Sequence, residues 1–123
     1  MPTASRKTAS RRYSKYGAKR MVYRGVTYDS KSEAAYAKRL DLDKRCGAIS
    51  HWERQKPIVL VVNGTKVCKM IADFLVHYED GSTEYVEVKG VRTAAYNIKY
   101  KLMRALHPDL NYRIVSAREA LAS

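Results

Sequence analysis

The sequence predicts an α/β fold: a central mixed sheet with an antiparallel meander, flanked by helices. The order expected is helix, strand, strand, strand, helix, strand. Three observations predict it. Ser30-Lys-Ser-Glu33 opens a helical stretch as a capping box. Asn63-Gly64 and Asp80-Gly81 each stand between apolar runs, which is the local signal of a hairpin. Thr93 and Pro108 then bracket a second helical stretch before a last apolar run.

At 123 residues the chain is expected to be a single domain, 21–123, preceded by a basic arm over 1–20. Residues 1–22 carry Arg6, Lys7, Arg11, Arg12, Lys15, Lys19 and Arg20 and no acid. Ser, Thr and Ala between them offer little to pack, so a disordered arm is expected. Its charge suits tracking of phosphates; a merely solubilising tail is the bland alternative. The whole chain has 24 basic and 12 acidic residues, or +12. Without the arm, 17 basic against 12 acidic residues leave +5. Such an excess points to a polyanion, and to nucleic acid over membrane, because no strongly amphipathic basic helix stands out. No run reaches transmembrane length and no signal-peptide pattern opens the chain. Cys46 and Cys68 have no metal-ligand spacing, which suits a reducing cytoplasm. His51, His77 and His107 are scattered and read as surface or strand residues.

From Met21 the elements follow in order. Met21–Tyr23 and Val26–Tyr28 flank Arg24-Gly25 as a small hairpin. The first helix runs from the Ser30 cap through Ala34, Ala37 and Leu40 to about Cys46, and Gly47 stops it. Residues 49–55, with Trp52 as a packing residue, lead into the apolar strand Pro57–Val62. Gln55 reads as a strand-edge residue that could also hydrogen-bond a ligand. Thr65 to Met70 returns antiparallel, continuous with a strand through Asp73. The Asp80-Gly81 turn leads to the strand ending Glu87-Val88-Lys89. The helix from Ala94 to Leu106 should bury Ala95, Ile98, Leu102, Ala105 and Leu106. Leu110–Val115 is then a strand parallel to the Glu87 strand, and Ala117–Leu121 a short terminal helix.

Asp73 is the residue that breaks the local rules. It stands between Ile71-Ala72 and Phe74-Leu75-Val76, where a strand former is expected. Glu87 and Lys89 share one face of the next strand, roughly 7 Å apart, while Val86 and Val88 face a core. A carboxylate within an apolar run, beside a carboxylate–lysine pair, has a reason to exist if it binds a divalent metal. A solvated salt-bridging face is the plainer reading of Glu87 and Lys89. Geometry adds a condition. With a two-residue Asp80-Gly81 loop, Asp73 would oppose Val88 and point away from Glu87. Convergence therefore requires an odd-length loop or a bulge. Glu33 has two readings, a helix cap or a third carboxylate reaching toward the sheet. Lys99, Lys101 and Arg104 on the second helix could meet a phosphate backbone.

With these residues in this order, the chain resembles the PD-(D/E)XK nuclease superfamily, and so a restriction-endonuclease-like fold. The signature Asp then Glu-x-Lys matches Asp73 and Glu87-Val88-Lys89, and Glu33 matches the Glu that often joins from the first core helix. Tyr28-Asp-Ser-Lys-Ser-Glu-Ala34, Ala72-Asp-Phe74, Val86-Glu-Val-Lys-Gly90 and Lys99-Tyr-Lys-Leu102 look like a small phage-type family of that superfamily, over about residues 21–115. Ala72 stands where the name motif has Pro.

The resemblance implies a DNA endonuclease dependent on Mg²⁺ or Mn²⁺, active on duplex or branched DNA as Holliday-junction resolvases are. A homodimer would suit the branched case, and a host cytoplasm a phage-encoded chain. Asp73 and Glu87 would hold the metal, with the Val88 carbonyl and Glu33 as further ligands, and Lys89 would orient the attacking water. Arg11, Arg12, Lys15, Lys19, Arg20, Lys99 and Lys101 would hold DNA. The alternative is a basic nucleic-acid-binding protein without catalysis, whose ten tyrosines could stack on bases.

Overall fold

The structure, a computed structural model, describes residues 20–122. The arm over 1–20, with Arg11, Arg12, Lys15 and Lys19, therefore lies outside the described residues except for Arg20, which is exposed. The fold is α/β, in the order expected. A two-stranded hairpin, β1 (Met21–Tyr23) and β2 (Val26–Tyr28), precedes α1 (Lys31–Cys46). Arg24 and Gly25 have φ of 52° and 77°, the left-handed pair that a two-residue type I′ turn needs. Then come β3 (His51–Val62), β4 (Thr65–His77), β5 (Thr83–Lys89), α2 (Ala94–Leu106), β6 (Tyr112–Ser116) and α3 (Ala117–Leu121). The sheet order is β3-β4-β5-β6, antiparallel up to β5 and parallel between β5 and β6.

Local chemistry sets the helix ends. The Ser30 hydroxyl accepts the Glu33 N–H at 3.1 Å, and Gly47 takes the left-handed C-terminal position at φ 83°. Thr93 caps α2 in the same way, accepting the Tyr96 N–H at 3.1 Å. Among the described residues no helix is long and apolar enough to cross a membrane.

Two cores lie on opposite faces of the sheet. On β5, Val86 and Val88 pack with α1 and α3 while Tyr85 packs with α2. On β6, Val115 takes the first side and Tyr112 and Ile114 the second. The α1 side is built on Tyr36, Ala37, Leu40, Phe74 and Val76; the α2 side on Leu60, Met70, Ala72, Met103 and Tyr112.

Two expectations are corrected. The first long strand begins at His51, six residues before Pro57, because both halves pair with β4. The buried stripe of α2 is Tyr96, Tyr100 and Met103 with Leu102 and Leu106. Ala95 and Ala105 are exposed, and Ile98 is 67% exposed. The tyrosines win the inner face because their rings bury apolar area while their hydroxyls reach polar partners beneath.

Candidate active site in a forked sheet

The loop joining β4 to β5 spans 78–82, five residues, and so meets the odd-length condition. Its turn is closed by the Gly81 N–H donating to the Tyr78 carbonyl at 3.0 Å, with Gly81 at φ 91°. The resulting register pairs His77 with Thr83 and Phe74 with Val86. Carried one step further, it sets Asp73 opposite Glu87.

The ladder stops at Phe74–Val86, and there the sheet forks. Beyond it β4 pairs with β3 alone. Asp73 stands at the fork and uses it: Oδ2 accepts the Val88 backbone N–H at 2.8 Å. Gln55, between the paired positions Arg54–Phe74 and Lys56–Ala72, has φ 52°, the left-handed region that non-glycine residues rarely occupy. Gln55 is thus an exposed residue of an edge strand, as expected, with a backbone distortion added. No turn residue marks its distorted backbone in the sequence.

Glu87 is 7% exposed and held on both oxygens. The Tyr96 and Tyr112 hydroxyls donate to Oε1, Tyr96 at 2.9 Å, and the Lys89 ammonium lies 3.3 Å from Oε2. Lys89 also sits 4.2 Å from the centre of the Tyr96 ring. Burial, and then the Glu87 charge, push both phenols upward in pKa, so they remain protonated donors. A cavity of about 230 Å³ fills the fork. The departing strand lines it with Lys69, Met70 and Ile71, β5 with Glu87 and Lys89, and α2 with Tyr96 and Lys99. Lys101 is exposed on α2 and does not line it, and Arg104 turns inward, donating to the Leu110 and Tyr112 carbonyls at 2.6 and 2.7 Å.

Glu33 joins the helix cap through its backbone N–H, which leaves its carboxyl a separate role. Burial pushes that carboxyl up to about 7, helped by the charges of Asp73, Asp29 and Glu87 and opposed by Arg54. Burial likewise raises Asp73 to about 6; the Val88 N–H and Lys89 oppose the shift, and Glu87 and Asp29 add to it. Carboxyls that hinder each other's ionisation are what a divalent cation relieves. All donors are oxygens, which fits Mg²⁺ or Mn²⁺. Their spacing is open: Glu33, Asp73 and Glu87 do not bring three ligating atoms within 4.8 Å of one another.

That closer spacing is met elsewhere, by His51, Glu53 and His77. The sequence spacing of the histidines hides this, because only the β3–β4 register sets His51 against His77.

Residues 13–120 match the family model described as "Protein of unknown function (DUF1064)". The chain belongs to the DUF1064 family. No curated protein matches it. The matched span of this DUF1064 chain holds Glu33, Asp73, Glu87, Lys89 and every residue lining the fork. Among the polar participants there, sequence reasoning misses Asp29, Arg54, Lys69, Tyr96 and Tyr112. Tyr96 could have been found, since it lies one helical turn before Lys99 and Tyr100 on the inner stripe.

Proposed function

We propose that this chain is a metal-dependent endonuclease of the PD-(D/E)XK type that hydrolyses phosphodiester bonds in DNA. The observation that carries the reading is the five-residue loop, whose register sets Asp73 against Glu87-Val88-Lys89, and Glu87 and Lys89 line a lysine-rich cavity. Asp73 and Glu87 would hold Mg²⁺ or Mn²⁺, with the Val88 carbonyl and Glu33 as further ligands. When bound, such an ion lowers the pKa of a coordinated water and neutralises charge on the phosphate.

The chain's own groups do the rest. Tyr96 and Tyr112 fix the Glu87 carboxylate against rotation. Lys89, held by Glu87 and the Tyr96 ring, offers a fixed ammonium to a phosphate oxygen or to the attacking water. Lys69 and Lys99 flank the same cavity and suit the neighbouring phosphates. The basic arm and Lys101 would extend contact along the backbone. The DNA would be duplex or branched, and a homodimer would suit symmetric cutting of the branched form. A cytoplasmic setting fits the two free thiols of Cys46 and Cys68.

One observation favours the non-catalytic alternative: Glu87 already has partners on both oxygens, and the carboxylates stand apart. A single experiment separates the readings. Supercoiled plasmid, linear duplex and a four-way junction are incubated with the full chain, with Mg²⁺ or with EDTA. Mg²⁺-dependent cleavage that falls at least about 100-fold in Asp73→Asn and Lys89→Ala supports catalysis. Binding without cleavage, or equal cleavage by the variants, removes it.

A further inference from the structure

We propose that His51, Glu53 and His77 form a binding site for a borderline divalent transition ion, Zn²⁺ fitting best, separate from the carboxylate fork. The site follows from register. His51 and His77 are directly opposed on β3 and β4, and Glu53 lies two residues along β3, on the same face. His77 is four residues from Asp73, roughly 13 Å along the strand.

The side chains are already gathered. The two imidazoles stack with centroids 4.0 Å apart and planes 9° from parallel. His77 Nε2 lies 2.6 Å from Glu53 Oε2. One donor atom from each residue falls within 4.8 Å of the other two. A tetrahedral Zn²⁺ with bonds of about 2.1 Å needs donors roughly 3.4 Å apart, so a swing of the rings about χ2 closes the set.

The surroundings fit this use. Ser50 Oγ lies 3.1 Å from His51 Nδ1, which orients that ring and leaves its Nε2 for the ion. Lys56 binds Glu53 Oε1 at 2.7 Å and leaves Oε2 turned toward His77. That ammonium is an adverse charge close by, and the carboxylate it shares offsets it. His51 is exposed, so an ion enters from solvent without opening the fold. Binding through His77 Nε2 replaces its hydrogen bond to Glu53; any proton on that nitrogen leaves to solvent or moves to Nδ1. Two imidazoles and a carboxylate suit Zn²⁺ and its neighbours, whereas Mg²⁺ prefers an all-oxygen set. The hairpin and the fork would thus take different metals. The held ion would tie β3 to β4 where the sheet begins and keep a coordination position for water or a further ligand.

The test uses the full chain in Mg²⁺-containing buffer near neutral pH, with Zn²⁺ titrated by calorimetry while imidazole ¹⁵N–¹H signals are followed. One equivalent should bind, with His51 and His77 shifting and His107 unmoved. His77→Ala and Glu53→Gln should each weaken binding by about 10-fold or more. Both positions are partly solvent-exposed, and circular dichroism checks that the variants fold. The proposal is overturned by absence of saturable binding, by binding that leaves the His51 and His77 signals still, or by equal affinity in a His51→Ala/His77→Ala chain. Zinc taken up by the thiols or the fork carboxylates would give the second of these.

Discussion

Ala72 and Phe74 lie two residues apart on one strand and pack into opposite cores, Ala72 under α2 and Phe74 under α1. A regular strand would put both on one face. β3 does the same: Trp52 packs on the α1 side, and Ile58 and Leu60 on the α2 side. The long hairpin therefore exchanges its faces at the Gln55–Asp73 level. That twist carries β4 away from β5, opens the fork, and leaves the Val88 N–H to the Asp73 side chain.

Gln55 should thus be sensitive to backbone preference more than to side-chain chemistry. Gln55→Val places a β-branched residue at φ 52° and should cost about 2 kcal/mol in urea unfolding. Gln55→Gly accepts that φ but loses more chain entropy, so stability should stay within about 1 kcal/mol. If valine were tolerated as well as glycine, the twist would not depend on this residue.

Tyr112→Phe removes one of two hydroxyls that hold a nearly buried carboxylate. A charge-assisted hydrogen bond to such a group contributes about 1–3 kcal/mol. Denaturant unfolding should show a loss of that size, with β6 still packed because the ring remains. If the proposed cleavage holds, it should fall as well, since Glu87 Oε1 would keep only Tyr96. Unchanged stability would mean that the Tyr112 hydroxyl is not a real anchor of Glu87.

Much of the framework is legible in the sequence because local chemistry writes it. Ser30, Gly47, Asn63-Gly64 and Thr93 each sit where a cap or turn needs that residue type, and each does that job. Asp73 is legible as a violation, and its partner strand follows from loop parity. What stays hidden depends on tertiary placement. The face exchange at Gln55 has no local marker. The inner stripe of α2 escapes a pattern of aliphatic residues alone, because tyrosine is not counted as apolar there, although Tyr96 and Tyr100 bury their rings. The His51–Glu53–His77 group cannot be seen without the β3–β4 register, since the histidines lie 26 positions apart in sequence.

Lys69 and Lys99 approach the cavity from β4 and α2, and among the described residues neither is paired with a carboxylate. Each should neutralise about one DNA phosphate. In an Asp73→Asn background, chosen to keep DNA intact if the chain is a nuclease, duplex binding is measured by anisotropy at salt concentrations on the order of 50 to 200 mM. Lys69→Ala and Lys99→Ala should each reduce the slope of log affinity against log salt by about 0.9. Lys101→Ala, outside the cavity, should matter less. Unaltered slopes would remove phosphate from the fork.

Stability against pH gives the sharpest reading of the carboxylate fork. Asp73 and Glu33 ionise at ordinary values of 3.8 and 4.5 when unfolded, and at about 6 and about 7 in the fold. Between those limits the folded chain binds more protons than the unfolded one. Stability must then fall as pH rises through that window. In EDTA the chain should therefore be more stable at pH 5 than at pH 8, by on the order of 2 kcal/mol. Glu53 and Asp80, whose carboxyls are lowered by their hydrogen-bond partners, lose their contribution only as pH falls below this range. Saturating Mg²⁺ should shrink the difference, because a bound cation favours the ionised acids that repel one another without it. Asp73→Asn should flatten the EDTA profile by removing one of the two titrating groups. Stability that rises from pH 5 to pH 8 in EDTA, or a profile indifferent to Mg²⁺, would mean that these acids do not form a cation site.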